Sequence, residues 1–251
     1  MSEQAIKKIL ITGANGFIGG SLMRYYQNHG QDTVGVDLIG NDDDIIEGDI
    51  SQPDTISQQL QECDVIIHTA ALVSNAMQDS DMWQVNVLAT RNLIQAAKEH
   101  KVRRFVQISS IVAYGNSAEG ELDETHPVHA DGGSYVLTKL ASEHVVLSEQ
   151  ANDDIEVVII RPGDAYGPGS RPWIIAPLEA IAKNQFMLPE KGEGFFRPIY
   201  IDDLVRGIAI ASRHPDAAGE IFNLSCEGYM FTKDYFTPHY QWLGKKGPLA
   251  V

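Results

Sequence analysis

The chain opens with a short apolar run, a turn that carries three closely spaced glycines, and a helix-period segment. The run covers residues 6–12, the glycines are Gly13, Gly16 and Gly19, and the helical segment covers residues 17–29. In such a unit the first glycine permits a tight turn, the second leaves room for a pyrophosphate, and the third lets the helix lie close to the strand. Free amides at the helix N-terminus would then face the phosphates, which predicts a dinucleotide site. A simple glycine turn without a ligand is the alternative.

Short strand-like segments and helix-period segments alternate over the following two thirds of the chain. Strands are predicted at Thr33–Asp37, Val65–His68, 105–109 and 155–160, and helices at 83–99 and 134–149. This alternation predicts a Rossmann-type α/β fold, a doubly wound parallel sheet wrapped by helices. After Arg161, glycines and prolines interrupt the rhythm, which predicts a small mixed lobe. We expect a dinucleotide-binding domain at 1–165 and a partial substrate-binding lobe at 166–251, some elements of which return to the main sheet.

Asp37 ends the second predicted strand. A carboxylate at this place can accept hydrogen bonds from both hydroxyls of an adenosine ribose, and its charge would repel a 2′-phosphate. No Arg or Lys lies between Asp37 and the end of the acidic segment Asp42, Asp43 and Asp44, which is predicted to be a solvated loop. The pattern therefore favours NAD over NADP. An aspartate that caps a turn is the alternative.

Composition and charge exclude several other classes. Hydrophobic residues make up 43% of the 251 residues and charged residues 21%, the balance of a globular protein. A net charge of −15 disfavours general affinity for nucleic acid or anionic lipid. No apolar run approaches the length of a membrane-spanning helix, and the N-terminus lacks an apolar signal region, so we expect no membrane partner and a cytoplasmic location.

The cysteines and histidines predict no metal site. Cys63 and Cys226 are too few for a disulfide framework and lack Cys-x-x-Cys spacing, and their apolar neighbours predict inert core thiols. His126 and His129 are separated by a proline and do not share a helical face. We expect their segment to form part of a loop over the active site.

Tyr135 and Lys139 lie one helical turn apart and share a face. A nearby ammonium would stabilise a phenolate and lower the tyrosine pKa, so that Tyr135 could take or return a substrate hydroxyl proton. Ser110 follows a predicted strand at the carboxyl end of the sheet, where it could donate a hydrogen bond to the same oxygen. The alternatives are an exposed aromatic with a solvated lysine, and a serine that caps a turn.

These pieces occur in the order and spacing of a known family. The segments are 12–19 (TGANGFIG), Asp49-Ile50, 68–71 (HTAA), Asn86-Val87, 109–115 (SSIVAYG), the Tyr135 to Lys139 motif, Arg161-Pro162, 166–169 (YGPG) and 200–204 (YIDDL). Together they resemble the extended short-chain dehydrogenase/reductase family and, more narrowly, its NAD-dependent epimerase/dehydratase branch.

The resemblance implies a role for each matched position. It implies hydride transfer at a carbinol carbon, with Tyr135 as general acid/base, Lys139 as its partner and Ser110 as the catalytic serine. The cofactor-binding residues it implies are Gly13, Asn15, Gly16, Phe17, Ile18, Gly19, Asp37, Asp49, Ile50, Ala70, Ala71, Asn86, Tyr135, Lys139 and Pro162. Members of the family are usually dimers, so the resemblance also implies a homodimer packed through the helical segments 83–99 and 134–149.

The residues after Ser110 bear on the reaction type. Dehydratases and decarboxylases of the family carry a glutamate there, whereas this chain has Ile111 and Val112, and the cysteine of the epimerase-reductases is absent. Redox at one carbon remains: 4-epimerisation through a transient ketone, or alcohol/ketone oxidoreduction.

Two residues give opposite indications of the substrate. Arg197 matches the arginine that contacts the diphosphate of nucleotide sugars, although it could instead pair with acidic neighbours. Asp164 stands where those enzymes have an asparagine, and a carboxylate is unfavourable beside a diphosphate. We predict a nucleotide-diphosphate sugar. The alternatives are a hydroxysteroid or dihydroflavonol-type substrate and, in another class, a non-catalytic NAD-binding regulator.

The length of the chain bears on its substrate lobe. Family members usually run several tens of residues further, so we expect this substrate lobe to be truncated.

Overall fold

The computed structural model describes residues 6–40, 44–73, 78–115, 120–151 and 154–248. The chain divides into two compact units. The first comprises Met1–Arg161 and Val205–Asn223, and the second comprises Pro162–Leu204 and Leu224–Val251. The segment 205–223 therefore returns to the first unit after the second has begun.

Eleven strands and eight α-helices are present in the described part of the chain. The strands are β1 (Ile9–Thr12), β2 (Thr33–Asp37), β3 (Ile45–Glu47), β4 (Val65–His68), β5 (Arg104–Ile108), β6 (Glu156–Pro162), β7 (Asp164–Tyr166), β8 (Phe195–Phe196), β9 (Pro198–Tyr200), β10 (Ile221–Leu224) and β11 (Met230–Phe231). The α-helices are α1 (Phe17–Asn28), α2 (Ser57–Glu62), α3 (Asp79–Trp83), α4 (Thr90–Glu99), α5 (Ser134–Gln150), α6 (Ala176–Ala182), α7 (Ile201–Arg213) and α8 (Thr232–Trp242).

The large sheet has seven strands in the order β10-β6-β5-β4-β1-β2-β3. The pairs β3–β2, β2–β1, β1–β4, β4–β5 and β5–β6 are all parallel. Every residue of β1, β4 and β5 is buried, as expected of strands covered by helices on both faces. The predicted Rossmann-type parallel sheet is confirmed. The short β3 escaped the sequence pattern, and the first strand begins at Ile9, three residues later than predicted.

The order of strands reverses beside β1. Strands β2 and β3 lie on one side of β1, and β4 lies on the other, with Thr12 and His68 as register partners. In sheets of this kind, ligands bind outside the carboxyl ends of the strands at such a reversal. The loops that follow Thr12 and His68 therefore mark the position of the site.

A hydrophobic core lies between this sheet and the helices that cover one of its faces. It includes Leu10, Ile66 and Phe105 from the strands and Leu93 and Val146 from α4 and α5, each with no exposed surface. Burial of each such side chain stabilises the fold by about 1.5–3 kcal/mol. The core therefore fixes α4 and α5 against the sheet.

The helix predicted at 83–99 is longer and less regular than expected. It begins at Asp79 and contains a π-helical turn, Gln84–Ala89, between α3 and α4. Asn86, one of the predicted site residues, lies within this turn. Such π turns occur often at functional sites because the extra residue redirects side chains.

The second unit contains two small sheets and an aromatic core. Strand β7 pairs with β9 in parallel, and β8 pairs with β11 in antiparallel. The core is formed by Leu188, Phe196, Tyr235 and Phe236, against which Trp173 packs. The segment 171–182 is divided between a π turn, Arg171–Ile175, and α6, of which Pro177 and Ile181 are buried.

The structure corrects one cysteine assignment. Cys63 lies in the core, and burial raises its pKa to about 12, whereas Cys226 is exposed and is not a core thiol. The apolar neighbours Phe222 and Leu224 belong to β10, whereas Cys226 lies in the short exposed segment after that strand. Asp44 is exposed, while Asp42 and Asp43 lie outside the described residues.

Two features of other protein classes are absent from the described residues. Among the described residues, no three His, Cys, Asp or Glu side chains form a group that could hold a metal ion. None of the described helices has the length and apolarity needed to cross a bilayer.

A buried ion pair joins α5 to β6. The Arg161 guanidinium donates to both carboxylate oxygens of Glu143, at 3.0 and 2.7 Å, and the two residues are 3% and 1% exposed. Arg161 also donates to the Tyr114 hydroxyl at 2.9 Å and lies over the Tyr114 ring. Because Lys139 lies one turn before Glu143 on α5, the pair fixes the helix that carries the predicted catalytic residues.

We predict that Arg161→Met lowers the free energy of unfolding by about 3–5 kcal/mol, because it leaves the Glu143 carboxylate buried and unpaired. The double variant E143M/R161M should recover much of that loss. Lys8→Met removes a more exposed ion pair with Glu62 and should cost at most about 1 kcal/mol. Urea unfolding measures all three. Equal losses for Arg161→Met and Lys8→Met would contradict this account.

Candidate active site

The glycine turn leaves no room for side chains. Gly13 has φ +69°, and a Cβ there would lie 2.7 Å from the Ala70 nitrogen. A Cβ at Gly16 would lie 3.0 Å from the Gly13 carbonyl oxygen, and one at Gly19 would collide with the same oxygen. Helix α1 begins directly after Gly16, and no described side chain caps it. The cradle and the uncapped amides fit a pyrophosphate group.

Asp37 binds the turn as well as ending β2. One carboxylate oxygen accepts from the Asn15 backbone N–H at 2.9 Å and the other from the Leu38 backbone N–H at 2.8 Å. The aspartate therefore caps the turn, which was the alternative interpretation. Each carboxylate oxygen can accept a second hydrogen bond, so the same side chain keeps capacity for ribose hydroxyls.

The other predicted cofactor positions of the first unit are divided between core and surface. Ile50 is buried within the hydrophobic core, while Asp49 is half-buried and accepts from the Ser51 backbone N–H at 2.8 Å. Ala70 and Ala71 are half-buried in the loop that follows β4. A cavity of about 380 Å³ borders the glycine turn, and Ala14, Asn15, Gly16, Arg24 and Asp44 are among its lining residues.

A larger cavity of about 750 Å³ lies elsewhere in the first unit. Its lining includes Val102, Arg103, Ile155 and Glu156, which flank the amino ends of β5 and β6. The predicted site residues follow the carboxyl ends of the strands, so this cavity is separate from them.

Ser110, Tyr135 and Lys139 come together at the carboxyl end of β5. The Lys139 ammonium donates to the Ile108 carbonyl oxygen at 2.9 Å and lies 5.9 Å from the centre of the Tyr135 ring. The Ser110 hydroxyl hydrogen-bonds to the Tyr135 phenol. Ser110 also caps the short 3₁₀ helix Ile111–Tyr114 by accepting from the Val112 N–H, which confirms the turn-capping alternative, while its contact with a substrate oxygen stays a prediction.

Burial dominates the electrostatics of this cluster. It lowers the Lys139 pKa to about 8, while the Glu143 carboxylate acts in the opposite direction. Burial also raises the pKa of Tyr135, and the hydrogen bond with Ser110 opposes that rise. The expected lowering of the Tyr135 pKa by Lys139 is therefore wrong for this structure, because loss of solvent around the phenol outweighs the hydrogen bond with Ser110.

Asn86 is committed to the polypeptide. Its side-chain oxygen accepts from the Leu72 N–H at 2.7 Å, and its amide donates to the Leu72 carbonyl at 3.0 Å and to Thr138 Oγ1 at 3.1 Å. The residue is 3% exposed. It therefore fastens the loop after β4 to α5, one residue before Lys139. A family motif marked the position, but only the π turn explains the direction of its side chain.

The segment 120–133 packs beside Ser110. The His129 N–H donates to the Ala113 carbonyl at 3.1 Å, and the Tyr114 hydroxyl donates to the Asp123 carbonyl at 3.0 Å. His126 bonds Asp123 within the same segment. These contacts fasten the segment to the 3₁₀ helix that follows the predicted catalytic serine.

The two predicted substrate residues are neighbours within the second unit. The Arg197 backbone N–H donates to the Asp164 carboxylate at 3.1 Å, and the Asp164 N–H donates to the Arg197 carbonyl at 2.7 Å. Burial raises the pKa of Asp164 to about 6, and the bond from Arg197 acts against this rise. Pro162, a predicted cofactor residue, ends β6 in a buried position.

The Arg197 guanidinium forms none of the acidic pairs that the sequence allowed. It donates to the Gly228 carbonyl at 2.9 Å and lies over the rings of Phe195 and Tyr229, at 5.9 and 5.5 Å. Among the described carboxylates, none forms an ion pair with it. Its charge is therefore held at an aromatic surface on which Phe195 is 64% and Tyr229 58% exposed.

The family match and the similar proteins agree with one another. Residues 9–225 match the NAD dependent epimerase/dehydratase family. A UDP-glucose 4-epimerase of Vibrio cholerae is 30% identical over 87% of this chain and 70% of its own length. A 3β-hydroxysteroid dehydrogenase/Δ5→4-isomerase of Mycobacterium tuberculosis is 26% identical over 96% of this chain and 70% of its own length.

A solved structure agrees with the sequence match. The UDP-glucuronic acid 4-epimerase of Bacillus cereus, in complex with NAD, superposes with a TM-score of 0.85 at 27% identity. The alignment covers 97% of this chain and 87% of the other. The cofactor of the family is NAD, and the glycine cradle described above fits it.

We predict that Asp164→Asn stabilises the protein at high pH. A carboxyl whose pKa is raised from 3.8 to about 6 stabilises the folded state only while it is protonated. This contribution is complete below about pH 4 and is lost as the pH rises through 6. The variant should therefore exceed the wild type in free energy of unfolding by up to about 3 kcal/mol at pH 8, and match it near pH 4.

Urea unfolding at several pH values measures this difference. Glu227→Gln, at an exposed glutamate of the second unit, is the control variant. A constant difference between Asp164→Asn and wild type at all pH values would show that the Asp164 carboxyl does not titrate in this range.

Proposed function

Because this chain belongs to the NAD-dependent epimerase/dehydratase family, we propose that it is an NAD-dependent 4-epimerase of a nucleotide-diphosphate sugar. One observation carries the choice of reaction. The cluster of Ser110, Tyr135 and Lys139 is followed by the 3₁₀ helix Ile111–Tyr114, which contains no acidic side chain. Elimination needs an additional acid or base, whereas oxidation and reduction at one carbon need only the cluster.

In this proposal NAD supplies the hydride acceptor and donor. Tyr135 takes the proton of the substrate hydroxyl as the carbon is oxidised to a ketone, and returns it when the carbon is reduced from the other face. Ser110 donates a hydrogen bond to the same oxygen. Lys139, whose pKa burial lowers to about 8, contributes a positive charge beside the phenol only while it is protonated. The glycine cradle and Asp37 hold the cofactor.

The proposed substrate class has two supports. Two of the similar proteins are epimerases of UDP-sugars. Within this chain, Arg197 has no acidic partner among the described residues, so its guanidinium is electrostatically available for a diphosphate. Asp164 would be compatible with such an anion in its protonated form.

Oxidoreduction of an apolar hydroxy compound is the second candidate. It is favoured by the carboxyl group of Asp164 and by the exposed rings of Phe195 and Tyr229, which would suit an apolar substrate. The similarity to a hydroxysteroid dehydrogenase agrees with it. A non-catalytic NAD-binding regulator is disfavoured because both Tyr135 and Lys139 are present.

We also propose a homodimer packed through the helical segment 79–99 and α5. Trp83 and Leu88 on this segment are 41% and 44% exposed. Apolar side chains of this size on one helical segment suit a self-complementary interface. The two residues would lose their solvent exposure on dimerisation.

We predict that Tyr135→Phe lowers kcat by a factor of at least about 10²–10⁴, because it removes the proton-transferring hydroxyl. The affinity for NAD should change less than about three-fold, because the ring remains. Steady-state kinetics and calorimetric titration with NAD measure the two quantities. Tyr25→Phe, on the third turn of α1, is the matched control. A loss of NAD affinity comparable to the loss of rate would argue against the role of Tyr135.

The substrate class is tested by product analysis. The purified protein should retain NAD and should interconvert a nucleotide sugar and its C4 epimer without accumulating NADH, because the hydride returns to the same carbon. Nuclear magnetic resonance of the sugar and absorbance at the NADH band follow both outcomes. Stoichiometric NADH from a hydroxysteroid, without reaction of any nucleotide sugar, would favour the second candidate.

A further inference from the structure

His68, the last residue of β4, is a buried imidazole with both ring nitrogens in hydrogen bonds. Nδ1 lies 2.7 Å from Thr12 Oγ1, and Nε2 lies 2.9 Å from Thr90 Oγ1. The residue is 1% exposed. Burial and the nearby Lys139 ammonium lower its pKa to about 3. The ring is therefore neutral at physiological pH, and one nitrogen carries the proton.

The neighbouring hydroxyl groups determine which nitrogen that is. Thr90 Oγ1 donates its single proton to the Asn86 carbonyl oxygen at 2.9 Å, so it can only accept from His68. Nε2 must then carry the proton, and Nδ1 accepts from the Thr12 hydroxyl. Thr12 Oγ1 in turn accepts from the Ala70 N–H at 3.4 Å. A charged imidazole would leave the Thr12 proton without an acceptor among the described residues.

These bonds form one directional chain, which we call the His68 relay: Thr12, His68, Thr90 and Asn86. Thr12 directly precedes the glycine turn, and Ala70 lies in the loop after β4. Asn86 lies in the π turn and holds both Leu72 and Thr138. The relay therefore connects the glycine turn, the loop after β4 and the π turn, and it reaches the helix of the proposed catalytic residues through the bond between Asn86 and Thr138.

We propose that His68, fixed as the Nε2-protonated neutral tautomer, is a positioning residue for NAD binding. It keeps the loop after β4 and the π turn in register with the glycine turn. Without it, the Ala70 backbone would lose its fixed place beside Gly13. This proposal uses the NAD dependence of the family and is independent of the substrate.

The tautomer is tested directly by nuclear magnetic resonance of protein with ¹⁵N-labelled histidine. His68→Asn identifies the two nitrogen signals of His68 by their loss. We expect Nδ1 to resonate as an unprotonated nitrogen and Nε2 as a protonated one, without change between pH 5 and 8. A protonated Nδ1, or a titration within that range, would overturn the proposal.

The positioning role is tested by isosteric replacement of the two threonines. Thr12→Val and Thr90→Val each remove one hydroxyl of the relay, and each should weaken NAD binding about ten-fold, measured by calorimetric titration. Thr12→Ser and Thr90→Ser keep the hydroxyl and should remain within about three-fold of wild type.

Ser212→Ala is the matched control. Ser212 is a buried hydroxyl that bonds Tyr26 and the Ala209 carbonyl on α7, away from the relay, so its loss costs stability without altering the site. NAD affinity should stay within about two-fold of wild type. If Ser212→Ala weakened NAD binding as much as the valine variants do, the relay would have only a general packing role. The same would follow if the serine variants weakened NAD binding as much as the valine variants.

The outcome for the His68 relay does not depend on whether the protein is a 4-epimerase. None of these measurements uses a sugar or a steroid, so failure of the 4-epimerase proposal leaves them interpretable. If a valine variant does not fold, the two serine variants and the tautomer measurement still test the role of His68.

Discussion

The parallel pairing of β1 with β4 determines where the predicted site residues of the first unit lie. It places Thr12 and His68 side by side at the point where the strand order reverses. The glycine turn follows one strand, and the loop with Ala70 and Leu72 follows the other. Each extends from the same edge of the sheet, and the helix that carries Tyr135 and Lys139 is fastened to that loop through Asn86. A change of register between these two strands would disturb all of these contacts together.

The sequence was sufficient to predict the Rossmann-type fold, because the apolar runs and the glycine turn that indicate this fold are local features of the chain. Apolar runs bounded by turns predicted β2 and β4 with the correct bounds, and the glycine spacing predicted the start of α1. Three-residue strands such as β3 give no such signal, since a run of that length is common by chance. At the turn after β2 the sequence left two functions of Asp37 open as alternatives, a turn cap and a ribose acceptor. The backbone geometry allows both functions together.

Several properties of the candidate site could not be predicted, because they depend on contacts that the sequence does not reveal. The direction of the Asn86 side chain follows from a π turn, which has no composition signal in residues 84–89. The pKa of Tyr135 follows from the balance of burial against the hydrogen bond with Ser110, and spacing along a helix reveals neither of these. His68 was visible only as part of a motif, because its partners Thr12 and Thr90 are far from it in sequence.

The proposed double use of Asp37, as cap of the glycine turn and as acceptor for the ribose, has a consequence for attempts to alter cofactor preference. Replacing this aspartate to admit a 2′-phosphate would also remove the acceptor of the Asn15 backbone N–H, which lies inside the glycine turn. If Asp37 binds the ribose as proposed, charge selectivity and the shape of the phosphate cradle are both properties of one side chain. A redesigned protein would have to supply a new acceptor for Asn15 before a basic residue near Asp37 could change the preference between the two dinucleotides.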